Sequence, residues 1–209
     1  MNESKGRRNY ENLERRMFDG VGKYGIPQLE PTCFEGSCHF IGFNFAASTS
    51  DRENTGVHFF IDDYQFNRLW TRIDCYVDML AQFRYVMTPD FSTYTDFPRA
   101  IQIYNHYRKH WVGAYLQEAG IEVIPTISWS TPDSFKWCFD GEPTHSAVAV
   151  SSVGATNSRA KKELFLAGYA AMMERLQPKT VLFYGKVPEE CQGNIVNIPA
   201  FQERFEKKV

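Results

Sequence analysis

The sequence predicts an α/β fold of about five to six mostly parallel strands with flanking helices, arranged as an open sandwich. Two observations predict it. Between Val57 and Lys186 one pattern repeats five times: a short β-branched and aromatic run, a polar break, then an amphipathic helix. The loops joining these units are short, which requires parallel pairing with right-handed crossovers. An incomplete or irregular β/α barrel is the alternative architecture. A closed eight-unit barrel takes about 250 residues, and this chain has 209.

Taken in order, residues 1–30 are charged and punctuated by Gly20, Gly22, Gly25 and Pro27. They read as a polar N-terminal arm, with one short helix over 10–18, on a single α/β domain spanning 1–209. Residues 40–45 run apolar and suit a strand, and 46–56 are small and polar, a loop. The run 57–61 is the first strand of the repeat. Phe66, Leu69, Trp70, Ile73, Val77 and Leu80 then fall at helical spacing, predicting one helix over 64–82 with Asp63 as its N-cap. Residues 84–88 form the next strand. Pro98 opens a helix carrying Ile101, Tyr104, Tyr107, Trp111 and Tyr115, which Gly120 closes. Residues 121–127 are a strand, and a short helix from Thr131-Pro132 stops near Gly141. Residues 147–150 suit a strand buried on both faces. A helix over 161–176, a strand over 181–184 and a terminal helix over 198–206 complete the chain.

A net charge of −2 with 23 Lys and Arg against 25 Asp and Glu argues against a surface built for non-specific nucleic-acid binding. Five cysteines, an odd and scattered set, are not a disulfide framework. No apolar stretch approaches the roughly 18 residues of a membrane span, and the first residues lack the apolar core of a leader. The expectation is a cytoplasmic protein with no membrane partner. Aromatics reach 15% of the chain, enough for core packing and for some to line a pocket.

The strand ends carry the candidate chemistry, because in parallel sheets ligands bind at the carboxyl edge. Those ends are Asp62-Asp63, Thr88-Pro89-Asp90, Ser128-Trp129, Ser151-Ser152 and Tyr184-Gly185-Lys186. Asp62 and Asp90 can act as acid and base or hold a divalent metal, and carboxylates so placed also bind sugar hydroxyls. Asp63 can join them or simply cap its helix. Trp129 can stack on a base or sugar, and Ser128 can donate to a phosphate. The loop from Ser151 and Ser152 to Asn157 enters a helix, where backbone N–H groups seat anions, but it lacks the lysine and glycine spacing of a P-loop. Tyr184 and the Lys186 cation lie on the same edge, and Lys186 would stabilise developing negative charge.

Three other features bear on the chemistry. Cys33, Cys38 and His39 sit close in sequence, but their spacing is not that of a standard zinc site. His58, His106, His110 and His145 have no evident serine or cysteine partner, and there is no nucleophile elbow. His106, Arg108, Lys109 and His110 share a helix with Tyr104 and Trp111, a basic face that is either solvated or touches nucleic acid.

Five linked motifs carry a resemblance: Phe60-Ile61-Asp62-Asp63-Tyr64, Thr88-Pro89-Asp90-Phe91-Ser92, Ile124-Pro125-Thr126-Ile127-Ser128-Trp129, Cys138-Phe139-Asp140-Gly141 and Tyr184-Gly185-Lys186. Together they resemble the domain-of-unknown-function 4417 family, common in phages and mobile elements of Gram-positive bacteria. The resemblance implies a context, a small accessory protein of such an element, and lends no catalytic role.

Two functions of different class follow. In the first, the strand ends bind a nucleotide or sugar-phosphate-like small molecule, with metal-assisted hydrolysis as the chemistry if the protein is an enzyme. In the second, the protein is a non-enzymatic accessory factor that binds a host or phage protein, or DNA, in replication or anti-defence. The first expects one pocket at the sheet edge. The second expects exposed aromatics elsewhere.

Overall fold

A short antiparallel hairpin, β1 (Gly20–Val21) and β2 (Ile26–Pro27), precedes seven strands that all run parallel in the order in which they occur. The computed structural model describes residues 11–200. β3 (His39–Gly42), β4 (Thr55–His58), β5 (Tyr85–Met87) and β6 (Val123–Ile124) form one sheet. β7 (Ala147–Ser151), β8 (Thr180–Tyr184) and β9 (Ile195–Ile198) form the next. Thr126 bridges to Ala149 between them, with the Ile127 N–H donating to the Ala149 carbonyl at 2.7 Å. Among the described residues nothing pairs β9 with β3, so the barrel is not closed. The predicted α/β class with parallel sheets and flanking helices is what the chain adopts. Its strand order never reverses, so it has no doubly wound switch point.

The two faces of β7 and β8 obey the period of two that a strand imposes. Ala147, Ala149, Leu182 and Tyr184 join the larger core cluster, with Phe40, Val57 and Phe59. Val148, Val150, Val181 and Phe183 turn the other way, onto Phe165, Tyr169 and Met172 of α4 (Arg159–Leu176). Each such buried large side chain contributes about 1.5–3 kcal/mol, which is why both strands are apolar from 147 to 150 and from 181 to 183.

Several helices differ from the sequence pattern. The periodicity over 64–82 is continuous, yet the chain forms α1 (Asp63–Thr71), a 3-10 turn (Ile73–Cys75) and α2 (Val77–Leu80). The break falls at Arg72, with φ −142° and ψ 45°. Beyond it Ile73 is buried, while the Asp74 carboxylate accepts from Arg15 and Tyr115. The apolar run 40–45 splits likewise: β3 ends at Gly42 and a 3-10 turn (Phe43–Ser48) follows. α3 (Arg99–Glu118) begins after Pro98 and is stopped by Gly120 at φ +80°, as its sequence predicts. The helix expected over 10–18 starts outside the described residues, and 11–15 is a turn. The expected helix over 198–206 begins in β9, and its remainder from 201 lies outside the described residues.

Two glycines are fixed by close approach. A Cβ on Gly168, in mid-helix α4, would overlap the Trp129 indole lying across it. At Gly141 (φ +78°) a Cβ would stand 2.5 Å from the Pro27 carbonyl oxygen and 2.7 Å from His110 Nδ1. Through this second contact residues 26–29 pack against α3, with Ile26 and Leu29 buried. No described helix is long and apolar enough to cross a membrane.

Candidate functional site at the carboxyl ends of the strands

One cavity of about 1270 Å³ opens at the carboxyl ends of the strands. Asp62, Asp63, Asp90, Ser128, Trp129, Ser151 and Tyr184 all line it. Their gathering follows from the fold, because successive parallel strands deliver their last residues to the same edge. Asp62 is exposed, while Asp63 and Asp90 are half-buried.

Two residues of the predicted set lie outside the cavity wall. Ser152 is buried, and its hydroxyl donates to the Lys186 carbonyl at 2.7 Å. Lys186 is exposed and does not line the cavity, because Gly185 (φ +91°) turns the chain away after β8. The cation that lines the wall is Lys161, in the first turn of α4. Ser158 caps that helix, accepting from the Lys161 N–H at 3.3 Å. Asn157, Ala160 and Leu164 place the start of α4 beside the same space.

The carboxylates differ in their ties. Asp62, not Asp63, occupies the N-cap position of α1, without a side-chain capping bond. Asp63 instead accepts from the Ser92 N–H at 3.1 Å and the Ser92 hydroxyl at 2.8 Å. That bond locks the loop after β5 against α1. Burial pushes the Asp90 carboxyl up to about 7, with the Asp63 charge adding to the rise and the Lys109 ammonium opposing it. The Ser130 hydroxyl, buried in the wall, has no hydrogen-bond partner among the described residues. Trp129 is held between Gly168 and the Phe165 ring, whose centroid is 5.3 Å away.

Of the basic helix face read as solvated or nucleic-acid-facing, Arg108 is half-buried and the other three residues are neither. His106, Lys109 and His110 are buried. Lys109 Nζ donates to Glu142 Oε1 at 2.5 Å and to the Thr126 carbonyl at 2.8 Å. His110 Nδ1 meets the Pro27 carbonyl at 2.9 Å, and its Nε2 stands 2.9 Å from Glu142 Oε1. Burial would raise the Glu142 carboxyl, but Lys109 and His110 hold it below its ordinary range. Burial lowers both imidazoles, His106 well below its usual value, with the charges of His110 and Lys109 adding to the effect there. The missed signal was a polar stripe: Gln102, Asn105, His106, Lys109 and His110 recur at the spacing of one helix face, and all five are buried.

Among the described residues His106, His110 and Glu142 are the group of three potential ligand atoms lying within 4.8 Å of one another. Asp62 and Asp90, the metal candidates from the sequence, do not belong to such a group, nor do Cys33, Cys38 and His39. The Cys38 thiol instead donates to the His39 and Asn54 carbonyls, and burial pushes it up to about 11.

A sequence model of the family described as Domain of unknown function (DUF4417) matches residues 18–202. The "Gene 1 protein" of Mycobacterium phage L5 is 41% identical over 175 residues, covering 83% of this chain and 76% of the relative. The "Gene 1 protein" of Mycobacterium phage D29 is 36% identical over 205 residues, covering 93% of this chain and 74% of the relative. No solved structure matches the chain. With its strand-end motifs lying inside the matched span, the chain belongs to the DUF4417 family.

Proposed function

We propose that this protein binds a nucleotide or sugar phosphate in the strand-end cavity. The observation that carries the reading is that one cavity joins carboxylates from the ends of β4 and β5 to the start of α4 and its Lys161. A phosphate suits the α4 end, where N–H groups and a lysine favour negative charge. Sugar hydroxyls suit Asp62 and Asp90, which accept hydrogen bonds. Trp129 and Phe60 line the same space and offer aromatic surface to a base, with Tyr184 packed beside Phe60. A volume of about 1270 Å³ is ample for such a ligand, since sites for small molecules run to about 300–1,000 Å³.

The exposed aromatics support this reading over the protein-binding one. Of the four exposed aromatics among the described residues, Phe45, Tyr64 and Tyr94 line the cavity, and Tyr24 lies outside it. Asp90 favours a catalytic role in addition to binding. A carboxyl held near 7 is matched to proton transfer at neutral pH, so Asp90 is the group to serve as general acid or base in hydrolysis of a phosphoester or glycosidic bond.

The test is titration calorimetry with nucleoside mono-, di- and triphosphates, sugar phosphates and inorganic phosphate. Expected is saturable binding by at least one, weakened roughly tenfold in Lys161→Ala, the loss typical of one charge-assisted hydrogen bond. Absence of binding across the set would overturn the reading, as would equal affinity in Lys161→Ala and Asp90→Asn. DNA binding with a steep salt dependence would point to the accessory-factor alternative.

A further inference from the structure

A second polar cluster, none of whose members lines the cavity, is buried between α3 and the turn around Gly141. We propose that His106, His110 and Glu142 bind a divalent first-row transition-metal ion.

The two histidines stand four residues apart on α3, so their rings share one face of the helix, with centroids 4.4 Å apart. Each ring is anchored by one nitrogen to a backbone carbonyl: His110 Nδ1 to Pro27 and His106 Nε2 to Asp140, both at 2.9 Å. A carbonyl can only accept, so those nitrogens carry the hydrogens. In a neutral imidazole the other nitrogen then presents a lone pair. A ring fixed by one N–H on a carbonyl, with its second nitrogen turned to a shared centre, is the arrangement of metal-ligating histidines.

Glu142 points to a cation at that centre. His110 Nε2, the lone-pair nitrogen, faces Glu142 Oε1 at 2.9 Å, an approach that the Lys109 ammonium on the same oxygen neutralises when no metal is bound. Glu142 Oε2 is fully buried and has no hydrogen-bond partner among the described residues, a strongly unfavourable state for a carboxylate oxygen. Oε1 is held by Lys109, which leaves Oε2 as the oxygen available to a metal. One ring nitrogen of each histidine and one Glu142 carboxylate oxygen lie within 4.8 Å of one another, and ligands about 2.0–2.1 Å from one ion need only close inward modestly. Two imidazoles and one carboxylate favour zinc, cobalt or nickel over magnesium or calcium. Trp137, whose ring centroid is 5.7 Å from that of His106, carries a buried indole N–H without a partner among the described residues, a donor for a metal-bound water.

Lys109 supplies the sharpest test, because its ammonium opposes a nearby cation yet neutralises Glu142 when no metal is bound. Metal-free protein would be titrated with Co²⁺, reading its visible absorption, and then with Zn²⁺, reading elemental content and the melting temperature. Expected are one equivalent of Co²⁺ displaced by Zn²⁺, and binding at least tenfold weaker in Glu142→Gln and His106→Gln. Lys109→Met is expected to be destabilised in chelator, restored by Zn²⁺ and to bind it at least tenfold more tightly. His106→Gln keeps the test decisive if Glu142→Gln fails to fold, since the only hydrogen bond of His106 among the described residues is to a backbone carbonyl. The proposal is overturned if neither wild type nor Lys109→Met takes up stoichiometric metal, or if uptake is unchanged in His106→Gln. None of these readouts depends on the strand-end cavity binding its ligand.

Discussion

The rings of His58 and Tyr184 stand 4.7 Å apart, although His58 ends β4 and Tyr184 ends β8, four strand intervals away. In a flat sheet that separation would be about 19 Å, at roughly 4.8 Å per interval. The sheet therefore curls until β8 approaches β4, and Phe60 joins the contact, 4.9 Å from Tyr184 and 5.8 Å from His58. Tyr184→Ala is expected to destabilise the fold by about 3–5 kcal/mol, the range for emptying a large aromatic site. Urea unfolding measures it. A loss below about 1 kcal/mol would mean that the curl does not depend on this contact.

Gly168→Ala tests the seat of Trp129. Helix propensity alone favours alanine by about 1 kcal/mol, but the indole occupies the place of the new methyl. Overpacking of this kind costs about 1–3 kcal/mol, so the net change is expected to be destabilising. The fluorescence of the displaced tryptophan should shift with it. A stabilised variant with unaltered emission would show that the indole rests elsewhere.

Asp90 should make stability fall as pH rises. Its carboxyl holds its proton up to about 7 in the folded protein, whereas an unfolded aspartate ionises near 3.9. Between those values the folded state binds more protons than the unfolded one, so stability declines through that window and levels off above it. Asp90→Asn removes the dependence. Relative to wild type, the variant should match near pH 4 and gain about 1–3 kcal/mol by pH 8, the smaller values reflecting contact with the open cavity. Parallel curves from pH 4 to pH 8 would contradict a raised carboxyl.

The Lys109–Glu142 pair should be costly to break and cheap to replace. Lys109→Met or Glu142→Leu alone strands a buried charge, expected to cost about 3–5 kcal/mol in metal-free protein. The double variant Lys109→Met, Glu142→Leu should recover most of that loss, because well-packed apolar groups substitute for a buried ion pair at little cost. Additive losses in the double-mutant cycle would show that the two side chains do not interact.

The strand ends were legible because polar residues closing a β-branched run have one role in a parallel sheet. Hence Asp62, Asp90, Ser128, Trp129, Ser151 and Tyr184 could be placed at one edge from the chain alone. Lys186 could not be placed, since its direction is set by the positive φ of Gly185, which sequence does not display. The sequential strand order was equally hidden, because the same repeat serves reversing and non-reversing sheets. Most costly was α3, where the stripe containing His106, Lys109 and His110 looked like surface. Charge suggests solvent until a partner is known, and that partner, Glu142, lies 33 residues from Lys109 behind a glycine turn.

That within each sheet every strand pairs with its successor in the chain has a consequence for how the protein is made. Each new pairing closes only the loop and helix just synthesised, so the entropy cost of every step is that of a short closure. Strands can be added one at a time as the chain leaves the ribosome, without waiting for a distant partner. The step that curls β8 toward β4 comes late, and it brings Tyr184 to His58 in the cavity wall.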